Sequence, residues 1–384
     1  MPLRAGRLPA QHLPEFRMKV VALTPLYLPV MGGIEILVAG LARELRSKGV
    51  EITVVTDTAG RLPSREVVDG TTVVRLGLYG AIRSGDPSRT LATLKQFEAV
   101  LEEVDADIIH LHSATQAAAF FLERYLRKRS QNVPLVVTQH GVLEPEDKID
   151  LARSIVARAQ AVTAVSKSVV DSVVDFTGRA DIVKIGNGVS GSVPFPKDRG
   201  QPTRRILLCV GRLQLEKGFD TAIRALALLP ENYGDVRLHI IGGGECGDRF
   251  RVLARDLGVE SQVEFLGALA HTATIQIISE ASTLLVPSRT REGFSLVAAE
   301  AALSGTPCIV SDVGGLPETV VDGVTGFVVP PNDVDAMCRA IRSLLDDTNM
   351  WQRMSRAART RAQTVFDIER CARQYASLYS SLMK

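Results

Sequence analysis

From Lys19 onward the chain alternates short β-branched runs with amphipathic stretches, a pattern that parallel strands joined by helical crossovers satisfy and few other folds can. The alternation comes in two series. In the first, VVALT (20–24) and ITVVT (52–56) bracket a segment whose apolar residues Ile34, Leu37, Val38, Leu41 and Leu45 recur at helical spacing and which stops at Gly49. Further strands are expected at TVVRL (72–76), DIIHLH (107–112), LVVTQH (135–140) and AVTAVS (161–166), so that residues 18–190 read as one Rossmann-like, doubly wound domain. Three prolines and several charges between Ser190 and Thr203 break the pattern and mark 191–203 as a linker. The alternation restarts at RILLCVGRL (205–213) and runs through LHIIGGG (238–244), VEFLG (263–267), TLLVPS (283–288), PCIVS (307–311) and GFVVP (326–330), a second domain over 204–366. Residues 367–384 are expected to form a terminal helix packing back toward the first domain.

Two cores also suit a chain of 384 residues, which exceeds what one core usually holds. A net charge of +2 with 23% charged residues carries no bias toward nucleic acid. The five cysteines, Cys209, Cys246, Cys308, Cys338 and Cys371, show no CxxC spacing, and a reducing, cytoplasmic setting fits them. No run is apolar enough to span a membrane. Residues 1–17 are too polar and proline-rich for a signal peptide; they read as a loose extension, with Met18 as the functional start.

In open parallel sheets, ligands bind beyond the carboxyl ends of the strands, so two such domains facing each other would enclose a cleft lined by post-strand loops. The loop after the first strand, PLYLPVMGGIE (25–35), sets Gly32 and Gly33 at the mouth of a helix, where free amides and the helix dipole can hold an anion; a plain turn accounts for the pair equally well. GRLQLEKGFD (211–220) sets Arg212 and Lys217 at a loop-to-helix junction, positioned to neutralise a diphosphate without a metal. SRTREGFSLVAAEAALSGTP (288–307) carries Glu292 and Glu300, with a helix expected to begin near Phe294 or Ser295. Glu300 would then lie inside an Ala-rich helix and need a partner. Two ribose hydroxyls would serve, with the amides of Phe294, Ser295 and Leu296 on phosphate, and a salt bridge to a neighbouring helix would serve as well.

Three histidines end first-domain strands. His140, followed by Gly141, is the best placed to bond a ligand; His110 and His112 share a strand face, and one of them reads as a satisfied buried side chain. His12, His239 and His271 carry no supporting context. The strings Asp105–Asp107 and Asp333–Asp335 sit badly for a metal, the first at the far end of a strand and the second with Asp333 as a helix cap.

Together the GG loop at 32–33, HLHS, TQHGV, AVSKSV, IGNGV, VGRLQLEKGFD, IIGGGE, EGFSLVAAEA and GGLPETVVDGVTGFVVPPND resemble the retaining glycosyltransferases of family GT4, over nearly all of Lys19 to Ala376. The resemblance implies a GT-B fold: two facing Rossmann-like α/β domains, acceptor side first and nucleotide-sugar side second. It implies that Arg212 and Lys217 grip the donor diphosphate, that Glu300 takes the ribose, and that Glu292 holds the transferred sugar. Gly32, Gly33, Gly293, Phe294, Ser295 and Leu296 would complete the donor site together with Leu266, while His140 lies beside the sugar and His112 and Asn187 line the cleft. The implied reaction is transfer of a hexosyl group from a UDP- or GDP-sugar, without metal or other cofactor, to a glycan, a lipid-linked or a small-molecule acceptor. Only about twenty residues separate His140 from the strand at 161, where relatives often carry a longer insertion that shapes the acceptor site. An inverting GT-B enzyme, a sugar-nucleotide epimerase and a catalytically silent nucleotide-sugar-binding subunit remain as alternatives. The basic run ERYLRKR (123–129), with Arg124, Arg127, Lys128 and Arg129, allows a peripheral contact with the inner membrane face, though a run of this kind is more often a solvated helix surface.

Overall fold

The computed structural model of the chain describes residues 18–384 apart from 31, 115–116, 129–132, 144–148, 191–199, 203 and 291. The extension 1–17, most of the linker and Arg129 lie outside the described residues.

Residues 18–184 build an eight-stranded sheet from β1 (Met18–Leu23), β2 (Val50–Asp57), β3 (Arg65–Val68), β4 (Thr71–Leu76), β5 (Ile108–His112), β6 (Leu135–Gln139), β7 (Ala161–Ala164) and β8 (Ile182–Lys184). Their order is β3-β4-β2-β1-β5-β6-β7-β8, and every pairing is parallel except β3 with β4. The second sheet holds β9 (Ile206–Val210), β10 (Arg237–Ile241), β11 (Val263–Gly267), β12 (Thr283–Val286), β13 (Cys308–Ser311) and β14 (Gly326–Val329), in the order β11-β10-β9-β12-β13-β14 and all parallel. Each sheet is covered on both faces. One apolar cluster around Leu23, Phe97, Phe121 and Val137 and another around Val20, Leu37, Leu45 and Tyr375 enclose the first sheet. The second lies between clusters around Phe219, Phe250 and Trp351 and around Leu208, Ile278 and Leu284. Burial on both faces is why the central strands read as unbroken apolar runs.

The sequence reading omits β3 and β8, both at sheet edges. β8 has only three residues, too few for any period. β3 had a signal: Asp69 and Gly70, with φ of 48° and 75°, form a two-residue hairpin turn between VV and TTVV, the D-G chemistry that favours a tight antiparallel return.

The terminal helix Ile368–Leu382 packs on the first domain, against the helix Gly33–Arg46. Two buried phenols fasten it beneath the sheet: Tyr375 Oη lies 3.0 Å from Thr138 Oγ1, and Tyr379 Oη lies 2.7 Å from His110 Nδ1. Where the chain crosses between domains the two crossings touch, the Val189 amide donating to the Phe366 carbonyl at 2.7 Å. The domains are also joined through Glu318, whose carboxylate accepts from the Lys167 amide, the first of the helix Lys167–Thr177, at 2.6 Å and from Lys184 Nζ at 2.9 Å.

Candidate active site

The two sheets present the carboxyl ends of their strands to a shared pocket of about 500 Å³, with walls from both domains. Gly32, Gly33, His140 and Asn187 enter from the first domain; Arg212, Lys217, Glu292 and Glu300 enter from the second.

Gly32, with extended backbone, is the cap of the helix Gly33–Arg46, and Gly32, Gly33, Ile34 and Ile36 of this helix start line the pocket. Glu35, in that first turn, is a carboxylate the sequence reading did not single out. Burial raises its pKa, against the opposing pull of its own backbone amide and of the Arg212 charge.

Arg212 precedes, and Lys217 ends, the short 3-10 turn Leu215–Lys217 that follows β9. Arg289 holds this turn, its amide donating to the Glu216 carbonyl at 2.8 Å and its guanidinium to the Leu215 carbonyl at 3.2 Å. Gly218, at φ 66°, lets the turn lie against the Pro287 carbonyl, 2.0 Å from where a Cβ would stand. Lys217 is ion-paired with Glu292, whose Oε1 also accepts from Ser288 Oγ at 2.8 Å. Arg212 is mostly exposed and, among the described residues, its ion-pair partner is Glu216 at 4.0 Å, which leaves the guanidinium accessible to a ligand.

The helix after Glu292 starts slightly later than the sequence suggests, at Leu296–Leu303 with Ser295 as its cap. Ser295 Oγ accepts from the Ala298 amide at 3.3 Å, so of the amides in the helix's first turn those of Leu296 and Val297 remain for an anion. Phe294 and Ser295 still line the pocket. Glu300 is buried at 8% exposure, and its Oε1 lies 2.7 Å from Nε2 of His271. His271 is the residue the sequence did not support. It opens the helix His271–Glu280 beyond β11 and lines the pocket with Ala268, Leu269 and Thr274. The Glu300 carboxylate raises the His271 pKa. Leu266 does not line the pocket: it faces the apolar cluster with Ile241 and Ile278, and Ala268 and Leu269 form the wall there instead.

The three histidines form a stack, with ring centroids 4.0 Å apart from His110 to His112 and 5.2 Å apart from His112 to His140. His110 is the satisfied member, bonded to Thr138 and Tyr379 on its two nitrogens. His112 is buried behind the wall, and its Nδ1 lies 2.9 Å from His140 Nε2, so it backs His140 instead of facing the ligand space. Burial holds His140 down to about 4 and His110 to about 3, and holds His112 well below its ordinary value. All three are therefore neutral near pH 7, and one proton is shared on the His112–His140 line. His140 Nδ1 is buried and, among the described residues, has no hydrogen-bond partner.

Asp107 accepts from the Lys19 amide at 2.7 Å, and Asp333 caps the helix Val334–Asp346 through the Ala336 amide at 2.8 Å, so both serve the backbone. Among the described residues no three His, Cys, Asp or Glu side chains are grouped to hold a metal ion. In the basic run, Arg127 pairs with Glu123 at 2.8 Å, Lys128 with Glu98 at 2.6 Å, and Arg124 lies 3.4 Å over the Phe120 ring. Among the described residues no helix is long and apolar enough to cross a membrane.

Residues 31–191 match the family described as Glycosyltransferase Family 4, and residues 195–361 match Glycosyl transferases group 1. A glycogen synthase of Mycobacterium tuberculosis is 37% identical over 228 residues, 59% of this chain and 55% of that enzyme, so the chain aligns with about half its length. A D-inositol 3-phosphate glycosyltransferase of Corynebacterium aurimucosum is 32% identical across 92% of this chain and 91% of its own. Among solved structures, Anabaena HepE in complex with UDP-glucose superposes with a TM-score of 0.77 at 24% identity, covering 95% of this chain and 100% of that one. With a full-length relative at this identity and both halves matched, the chain belongs to glycosyltransferase family 4 and has the GT-B fold.

Proposed function

We propose that this glycosyltransferase transfers a hexosyl group from a UDP- or GDP-sugar to an acceptor held on the first-domain side of the cleft, with retention of anomeric configuration and without a metal. One observation carries the reading: Arg212, Lys217, Glu292 and Glu300 of one domain share a single pocket with Gly33 and His140 of the other. The superposition on a UDP-glucose complex supports a nucleotide-sugar donor, and the D-inositol 3-phosphate glycosyltransferase supports a soluble hydroxyl acceptor.

In this reading the donor ribose meets Glu300, and the diphosphate lies between Arg212, Lys217 and the helix-start amides at Gly33 and at Leu296–Val297. Lys217 is paired with Glu292 before any donor arrives, so an incoming diphosphate shares that cation while Glu292 turns to the sugar hydroxyls. As the sugar–phosphate bond lengthens, negative charge grows on the phosphate oxygens and positive charge on the anomeric carbon; the fixed cations and amides stabilise the first. His140, neutral and on the pocket wall, stands beside the sugar without adding a positive charge next to an oxocarbenium-like centre. Attack from the face the diphosphate leaves gives retention.

The test is a donor panel. Incubation with UDP-, GDP- and ADP-sugars should show hydrolysis or transfer with one of the first two, and proton NMR of the glycoside should show the anomer of the donor. Turnover with inversion, or turnover of none of the donors, counts against the reading.

A further inference from the structure

We propose that His271 sets the ribose selectivity of the donor site by fixing the orientation of Glu300, which deepens the donor reading above and rests on it. Glu300 sits in an Ala-rich helix between Ala299 and Ala301, both fully buried, where a carboxylate is desolvated and needs partners. Among the described residues His271 is the one side chain that bonds it, through Nε2 to Oε1 at 2.7 Å. The last torsion of a glutamate is soft, so a carboxylate held by nothing would swing. The imidazole donor occupies Oε1 and leaves Oε2 as the oxygen available to a ligand.

His271 can do this because of where the fold puts it. It is the first residue of its helix, and it stands on the pocket wall with Ala268, Leu269 and Thr274, a quarter exposed rather than packed away. A buried acceptor held ready for a hydroxyl discriminates sharply against an analogue that lacks it, because the acceptor is then desolvated with no partner. A freely rotating carboxylate can turn away and loses that discrimination. His271 is thus a positioning residue. A merely structural ion pair between two helices would alter melting temperature and leave selectivity untouched.

The experiment compares calorimetric affinities of UDP, GDP and ADP with those of their 2′-deoxy and 3′-deoxy counterparts, on wild type and on His271→Ala, His271→Phe and His271→Gln. Wild type should bind the preferred ribonucleotide at least ~10-fold more tightly than the weaker deoxy analogue. That ratio should shrink to about threefold in His271→Ala and in His271→Phe, which keeps the ring shape without a donor; His271→Gln, whose amide can donate to Glu300, should restore most of it. Wild-type discrimination in an Ala or Phe variant that melts like wild type overturns the proposal, as does a wild type that does not discriminate. If wild type binds none of the nucleoside diphosphates, the donor reading itself fails and this inference falls with it.

Discussion

His140 and Gly293 meet across the interdomain cleft: a Cβ on Gly293 would stand 1.9 Å from the His140 carbonyl oxygen and 3.1 Å from Gly141 Cα. The backbone of one domain thus touches the backbone of the other one residue away from Glu292, and no larger residue fits at 293 without parting them. Gly293→Ala should separate His140 from Glu292 while leaving each domain folded. Misplacement on the scale of 1 Å can cost on the order of 100-fold in rate, so kcat should fall by about that factor with nucleoside diphosphate affinity changed only a few-fold. A Gly293→Ala enzyme with normal turnover would show that the contact is incidental.

The cations should act mainly on the diphosphate. Arg212→Ala and Lys217→Ala should each remain folded and lose roughly 1.5–3 kcal/mol of UDP or GDP binding, the worth of one charge-assisted contact. Lys217→Ala also strips Glu292 of its cation partner, leaving Ser288 as its hydrogen-bonded side chain among the described residues. Wild-type affinity by calorimetry in both variants would remove them from the donor site.

If these two side chains supply the positive charge, as proposed, transfer should survive excess EDTA. Activity lost on chelation and restored by magnesium or manganese would require a metal in the mechanism.

His140→Ala should divide binding from catalysis. In the proposed reading the nucleotide is held mainly from the second domain, so its affinity should stay near normal while turnover drops, provided the variant melts like wild type. Tyr379→Phe, which removes the phenol bonded to His110, offers the contrasting structural case, with stability lowered by about 1 kcal/mol and the ratio of turnover to binding unchanged. Near-normal turnover in a stable His140→Ala protein would make His140 structural too.

The buried histidines also make an acid-stability prediction. In the unfolded chain they titrate near the ordinary value of about 6.5, but in the fold His140 stays neutral down to about 4 and His110 to about 3. Between those values the unfolded state binds more protons, so stability is intact above pH 6.5 and falls as pH drops through that window. At pH 5 the loss should be on the order of 2 kcal/mol for each histidine. Urea midpoints at pH 7 and pH 5 measure it, and His110→Gln should flatten part of the slope. Equal midpoints at the two pH values would mean that the histidines are not buried neutral.

The alternation of strands and helices was legible in the sequence because periodicity is local: VVALT, DIIHLH, LVVTQH and TLLVPS each reappear within a residue or two as a strand. Where an edge strand has three residues, as in β8, there is no period to read. Candidate residues beyond the strand ends, on the loops or in the first turns of the helices that follow, among them Gly33, His140, Arg212, Lys217, Glu292 and Glu300, could be named because doubly wound sheets gather ligands at those ends, and all of them line one pocket. What the sequence left undecided depends on how distant segments dock. That His110 is saturated by a helix from the far terminus, that His112 backs His140, and that His271 holds Glu300 are all settled by contacts between residues 28 to 269 positions apart. The two domains meet through Glu318 on Lys167 and Lys184 and through Gly293 on His140, and no pattern along the chain encodes the register of such a contact. Local sequence determines which elements form and which residues stand at their ends; burial and the docking of two sheets decide which of those residues face a ligand and which only hold their neighbours.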